Sequence, residues 1–368
     1  MERLLFCIKC IFRVYDMKLL IVTPEIHRLG GVANHYLGLS PHWKDEVEYL
    51  FYGKKSDTMS RLLTLLLYPI DVIKYVWKLI FSNIDVVVIN PSFRKYQLIR
   101  DGFFLILARC ISKEVVTFFH GFDVEYAKIL KINPNLFKSV YNRSLFIYVL
   151  ASDFKDILIS LGITKPILLT TTKVSDSFVD NITIKPRRCV KTLLYVARII
   201  KEKGIYETID IYRAVKTRYA DLKLIVAGDG SELNKVKRYV SSNEINDITF
   251  IGNVVGADLL NTYLLGDLYI LPTESEGMAT TVLEAMALGL PVLTSPTGGV
   301  KDFFINGKMG YLIDNRHPQQ YIEKVMELIA DEECCSEISS FNINYARKHF
   351  IASKVTEKFE ADIRIYYK

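Results

Sequence analysis

Short runs rich in valine, isoleucine, leucine and aromatic residues recur along this chain, each parted from the next by a segment of helical length. Runs 18–23, 47–52, 85–90, 114–119, 146–151 and 167–172 make one series; 192–197, 222–227, 247–251, 268–271, 290–294 and 310–313 make a second. Many are continuously apolar, as in Lys18-Leu-Leu-Ile-Val-Thr23. Such runs belong to strands buried on both faces, whereas a half-exposed strand alternates. Strands that take turns with helices form parallel sheets covered on both sides. The expectation is an α/β protein with two parallel sheets, one for each series.

A chain of 368 residues is too long for one small core and fits two domains of roughly 150 to 190 residues. Lys185-Pro186-Arg187-Arg188 interrupts both patterns, so the boundary is expected between Asp180 and Val190. This gives a Rossmann-like domain over 17–185 and another over 190–345, with a central cleft between them. A helical period runs on from Ser339, with Phe350, Val355, Phe359, Ile363 and Tyr366 as apolar positions, and 346–368 is expected as a closing helix. Residues 1–16 precede a second methionine, Met17, which is the expected start of the fold. The alternative for 1–16 is a basic, apolar helix lying on a membrane.

Half of the residues are hydrophobic and a quarter charged, which excludes a disordered chain. No stretch reads as a membrane span. The run Leu62 to Ile70 contains Pro69 and stops at Asp71, and the charge-free run Ala285 to Val300 is broken by Gly289, Pro291 and Pro296. No leader with a cleavage site is evident, so the expected compartment is the cytoplasm. The six cysteines are scattered, and no second pair complements Cys7-x-x-Cys10; free thiols are the expectation. Through Arg188 there are 26 Lys and Arg against 17 Asp and Glu, a balance of +9; the remainder has 21 against 24, or −3. Only the first half suits an anionic surface. The basic residues are dispersed and not interleaved with aromatics, so nucleic acid is not an expected partner.

The stretch Leu271 to Leu293, LPTESEGMATTVLEAMALGLPVL, carries the chemistry. An apolar strand runs into a loop with Gly277, and a helix opens near Ala279. Glu276 stands before that helix and Glu284 inside it. Helix tips present unpaired N–H groups and partial positive charge, which suit phosphate. Carboxylates on either side accept hydrogen bonds from hydroxyls. The unit therefore fits a ligand with sugars flanking a diphosphate.

Glu276-x7-Glu284, followed by Ala285, Gly289, Pro291-Val292 and Gly298-Gly299, resembles the donor-site signature of retaining glycosyltransferases of family 4. Asn306-Gly307 and Gly310-Tyr311 resemble the turn that follows it. The resemblance implies the GT-B architecture, with the closing helix packing back toward the first domain, and a nucleotide-sugar donor. It assigns Arg198 and Lys203 to the diphosphate leaving group, with Ala197 standing where the family has glycine. Glu284 would accept from the ribose hydroxyls and Glu276 would lie near the transferred sugar. Backbone N–H groups from Gly277 to Thr280 would meet sugar and phosphates, with hydroxyls from Thr280 and Thr281. Met278-Ala279 departs from the family's usual residues, which leaves the sugar open. In the first domain, Gly30-Gly31 resembles the family's glycine loop, and His120, before Gly121 at a strand end, would hydrogen-bond the donor sugar or align the acceptor. The family's chemistry is front-face substitution with retention. No Asp-x-Asp motif appears, so neither a metal ion nor any other cofactor is expected.

Met59 to Phe81 mixes leucine-rich turns with Lys74 and Lys78, and its Tyr75 and Trp77 suit an interface. The segment fits peripheral contact with an anionic membrane; a helix packed on the sheet is the alternative. The expected reaction is hexosyl or N-acetylhexosaminyl transfer to a lipid-linked or polysaccharide acceptor in bacterial envelope glycan synthesis, of capsule, O-antigen or exopolysaccharide. Two rival readings keep the fold: a nucleotide-sugar epimerase and a non-catalytic nucleotide-sugar-binding subunit.

Overall fold

Each expected run becomes a strand. The structure is a computed structural model that describes residues 17–26, 30–53, 59–180, 182–313 and 317–367. The 1–16 extension, with Cys7 and Cys10, lies outside the described residues. In the first series the elements follow as β1 (Lys18–Thr23), α1 (Gly31–Leu39), β2 (Glu46–Phe51), α2 (Arg61–Phe81), β3 (Val86–Ile89), β4 (Ser92–Phe93), α3 (Lys95–Cys110), β5 (Glu114–Phe119), β6 (Gly121–Phe122), α4 (Val124–Leu130), α5 (Asn135–Tyr141), β7 (Phe146–Val149), α6 (Ser152–Ser160) and β8 (Ile167–Leu169). The sheet order is β2-β1-β3-β5-β7-β8, and β4 pairs with β6 separately. That two-strand pair was not anticipated, because two residues are too few to show a period. β3 and β7 are buried throughout, while the edge strand β2 is mostly part-exposed, as its position requires.

The second series gives β9 (Thr192–Val196), α7 (Ile205–Lys216), β10 (Lys223–Ala227), α8 (Leu233–Ser242), β11 (Ile248–Gly252), α9 (Gly256–Leu264), β12 (Leu268–Leu271), α10 (Thr280–Ala287), β13 (Val292–Thr294), α11 (Val300–Phe303) and β14 (Gly310–Leu312), followed by α12 (Pro318–Ala330), α13 (Glu332–His349) and α14 (Ala352–Tyr366). Its order is β11-β10-β9-β12-β13-β14, with every neighbouring pair parallel. The chain builds outward from β9 through β10 and β11, then returns to β9's other side with β12. In such sheets the crevice at this reversal, beyond the carboxyl ends of the two strands, is where ligands bind. The first sheet reverses in the same way between β1 and β3. Together the sheets make the α/β, GT-B-like architecture expected from the sequence.

The chain divides into two compact units. One comprises Met1–Tyr148, Ile157–Leu168 and Glu357–Lys368; the other comprises Val149–Asp156 and Leu169–Thr356. Residues after Leu169 join the second unit well before the Lys185–Arg188 break, because they are tied to the α13–α14 corner. Val174 N–H donates to Phe350 O at 2.8 Å, Ala352 N–H to Val174 O at 2.9 Å, and Ser353 N–H to Asp176 at 3.0 Å. The end of α14 is anchored in the first unit. Glu360 Oε1 accepts the N–H groups of Lys44 and Asp45 at 2.7 and 2.8 Å, and Asp362 accepts from Tyr148 OH at 2.8 Å.

Helix α2 starts on a Ser60 cap, whose Oγ accepts from Leu63 N–H, and runs on through Pro69. Its inner face buries Tyr75 and Leu79. Tyr75 is thus a core residue and not the interfacial one expected: its hydroxyl donates to Phe104 O at 3.0 Å. Trp77 does face outward, 63% exposed. No helix among the described residues is long and apolar enough to cross a membrane.

Candidate active site

In the second unit the loops leaving β9 and β12 lie side by side, as the strand order dictates. Glu274 N–H donates to Glu202 O at 2.8 Å, and Thr273 Oγ1 donates to the same carbonyl at 3.1 Å. Beneath them the buried Tyr195 hydroxyl donates to Lys203 O at 3.2 Å. Gly204 follows in the left-handed region at φ 73°, and a Cβ there would stand 2.1 Å from Pro272 O. Glycine is therefore required where Lys203 turns inward.

Lys203 Nζ reaches across to β12's loop, donating to Ser275 O at 3.0 Å and pairing with Glu276 Oε1 at 2.6 Å. The two side chains are only 11% and 16% exposed, so water screens their attraction less than that of a surface pair. Arg198, five positions earlier, is exposed and has no ion-pair partner among the described residues. Its guanidinium is available to a ligand.

Helix α10 opens at Thr280, four residues after Glu276. Its N-cap is Ala279, which has no side-chain acceptor to offer. Among the described residues no acceptor is found for the N–H groups of Gly277, Met278, Ala279, Thr280 and Thr281. A helix tip in this condition is a ready anion site. The loop is held from the far side by Gly298-Gly299: Gly299 N–H donates to Gly277 O at 2.8 Å, and a Cβ on Gly298, at φ 57°, would meet Glu276 O at 2.3 Å. The Thr280 hydroxyl is engaged with Thr172 Oγ1 at 2.9 Å, and Thr281 Oγ1 accepts from Tyr269 OH at 2.7 Å.

Glu284 sits in a separate buried cluster one turn further on. Tyr263 OH donates to its Oε2 at 2.8 Å. Burial pushes its pKa up to about 7, against the Tyr263 hydrogen bond and the charge of Lys173, which both pull it down. Lys173 is 7% exposed, and burial lowers its own pKa, partly offset by Glu284. Sequence reading missed Lys173, Tyr263 and Tyr269. The two tyrosines lie on α9 and β12 with no motif around them, and a lone lysine after Thr170-Thr171-Thr172 gives no signal.

The first unit gathers a different cluster at its own strand reversal. Asn90, after β3, donates to Val22 O at 3.0 Å, and its Oδ1 accepts from Tyr36 OH at 2.7 Å. His120, after β5, has Nε2 3.0 Å from the same Oδ1. With Asn90 oriented by Val22, His120 Nε2 must carry the proton. Enclosure of the ring holds the His120 pKa well below the usual histidine value, with His35 as a second cause. His120 is therefore neutral at pH 7, and its Nδ1 is an acceptor. Gly30 caps α1 through its carbonyl, which accepts from Asn34 N–H at 2.9 Å, and a Cβ on Gly30 or Gly31 would meet nothing within 4 Å. Neither position is sterically forced to be glycine by the described residues.

Residues 185–348 match the family model for glycosyl transferases group 1. Over this segment, just under half of the chain, the protein is similar to the glycosyl transferases group 1. Among curated relatives, the capsular polysaccharide biosynthesis glycosyltransferase CapM of Staphylococcus aureus is 27% identical over 176 residues, 47% of this chain and 46% of that protein. The lipopolysaccharide 1,2-N-acetylglucosaminetransferase of Salmonella typhimurium is 30% identical over 151 residues, 38% of this chain and 40% of that protein. The match thus spans under half the length of either relative. Among solved structures, Anabaena HepE in complex with UDP and glucose superposes with a TM-score of 0.68 at 16% identity, covering 95% of this chain and 100% of that one. Sucrose-phosphate synthase from Thermosynechococcus elongatus gives 0.68 at 15% identity over 95% and 98%. These likenesses show a fold shared along nearly the whole chain.

Proposed function

We propose that this chain is a retaining glycosyltransferase that takes its sugar from a nucleotide-sugar and passes it to a lipid-linked or polysaccharide acceptor in envelope glycan synthesis. One observation carries the reading: Lys203 and Glu276 meet at 2.6 Å beside the uncapped tip of α10, at the sheet's strand reversal. The donor's diphosphate would lie on the free N–H groups and accept from Arg198 and Lys203. As the glycosidic bond breaks, charge grows on the leaving oxygen, and fixed cations favour that state over the ground state. Glu284 would accept from the ribose hydroxyls and Glu276 would bind the transferred sugar. Because Lys203 neutralises Glu276, that carboxylate is a weak nucleophile, which supports front-face substitution. His120 Nδ1 would accept from a sugar hydroxyl. The capsule and lipopolysaccharide roles of the two curated relatives support the choice of acceptor.

A thermal-shift screen of UDP-, GDP- and other nucleotide-sugars tests the reading. At a hundredfold excess over Kd the true donor should stabilise the wild type by about 2.7 kcal/mol, several degrees in Tm. Glu284→Ala should lose that response while remaining folded by circular dichroism. No response to any donor, or an equal response in the variant, would remove the assignment. Recovery of an epimerised sugar nucleotide without transfer would favour an epimerase.

A further inference from the structure

In the first unit, α3, α4 and α5 enclose an open groove of about 680 Å³. Ile99, Phe103 and Ile106 line it from α3, Leu130 from α4, and Leu136 and Phe137 from α5. The α3 residues recur at helical spacing, so one edge of that helix is apolar although it faces away from the core that holds Phe104, Leu105 and Ala108. Ile99 is 59% exposed and Leu136 72%. The volume lies in the range of small-ligand sites.

The rim is basic. Residues 94–101 and 123–141 contain six Lys and Arg against three Asp and Glu, of which Asp101 is buried. Arg100 is consumed by buried Asp101, and Lys128 pairs with Glu125, but Arg94, Lys95, Lys131 and Lys138 stand exposed. Lys95 itself lines the groove, with Asn133 and Asn135. An apolar trough with a cationic and amide rim matches an amphiphile with a negative head. A second copy of this chain would bring the same positive rim and be repelled. Helix α2 packs on α3 through Tyr75 against Phe104, ring centroids 4.8 Å apart, and its outer face carries Leu62, Leu66, Ile73 and Trp77.

We propose that this groove takes one acyl chain of an anionic phospholipid, with its headgroup on the Lys95 rim, and so seats the first unit on a bilayer. The outer face of α2 then rests on the same surface. This inference stands apart from the donor-site reading: vesicle binding without any nucleotide response would leave it intact and remove the other.

Phosphatidylglycerol carrying a diazirine in mid-chain, placed in vesicles, provides the test. Photolysis should label peptides within residues 95–141, and flotation should favour phosphatidylglycerol over phosphatidylcholine vesicles by at least tenfold. Ile99→Glu/Leu136→Glu alters exposed positions only, so its Tm should match the wild type while flotation falls at least tenfold. Lys95→Gln/Lys131→Gln should narrow the preference between the two lipids. Labelling confined to other segments, equal flotation with both lipids, or full flotation of the Ile99/Leu136 variant would overturn the proposal. So would lipid-free dimerisation abolished by that variant, which would make the groove a self-association surface.

Discussion

Lys203→Ala is expected to lower turnover of the donor found by the thermal-shift screen by roughly 10²–10³-fold, the loss seen when a preorganised charge-stabilising group is removed from an active site. The prediction follows from position. Lys203 is shielded, held by Ser275 O and aimed by the Gly204 turn, so little reorganisation separates its resting place from the developing phosphate charge. The variant also strips Glu276 of its partner, and a fall in stability could by itself mimic a fall in rate. Adding Glu276→Gln to Lys203→Ala separates the two effects. Denaturation should show stability restored, since no partly buried charge is left unpaired, while turnover stays low. Arg198→Ala is the cleaner companion, because its guanidinium has no ion pair to lose among the described residues. Its turnover should drop by more than roughly tenfold, about 1.4 kcal/mol of transition-state stabilisation, with Tm unchanged. Near-normal turnover in both would end the phosphate assignment.

Glu284→Gln is expected to stabilise the ligand-free protein at pH 8 by up to about 3 kcal/mol while abolishing the response to donor. Burial raises the Glu284 pKa to about 7, above the ordinary glutamate value of 4.5. A carboxylate raised in this way contributes most favourably while protonated, so its contribution is lost as pH climbs through 7. At pH 8 the ionised group thus costs roughly the shift multiplied by 1.36 kcal/mol per pH unit. Loss of attraction to Lys173 reduces the gain. Urea titrations should show the advantage of glutamine falling to under about 1 kcal/mol by pH 5. Donor affinity of the wild type should rise with pH through the same window, because only the ionised form accepts from both ribose hydroxyls. A glutamine variant that is less stable than wild type at pH 8 would show that Glu284 is ionised at little cost, and the pH dependence would then have another source.

The expected strands were legible because burial on both faces leaves an unbroken apolar run that needs no partner to be recognised. The same holds for Glu276, Gly277 and Glu284, whose spacing brackets a helix start. Legibility failed where a residue's role is set by a distant neighbour. Tyr75 looked interfacial beside Trp77, yet two positions on a helix turn through about 200°, so one faces Phe104 and the other faces out. The tail gave one helical period but makes two helices, because Phe350 and Val174 meet across a long stretch of chain and turn it. Lys173 and Tyr263 had no sequence signal at all, since what matters about them is the buried carboxylate they surround.

Local pattern alone dictated two α/β halves and a helix start between Glu276 and Glu284, because periodicity and backbone geometry are properties of neighbouring residues. Which strands lie adjacent is a property of how the whole sheet packs. Only that packing set β12 against β9, brought Lys203 to Glu276, and enclosed Glu284 deeply enough to move its proton affinity. Desolvation and ion pairing depend on what surrounds a group in space, and no spacing along the chain encodes that.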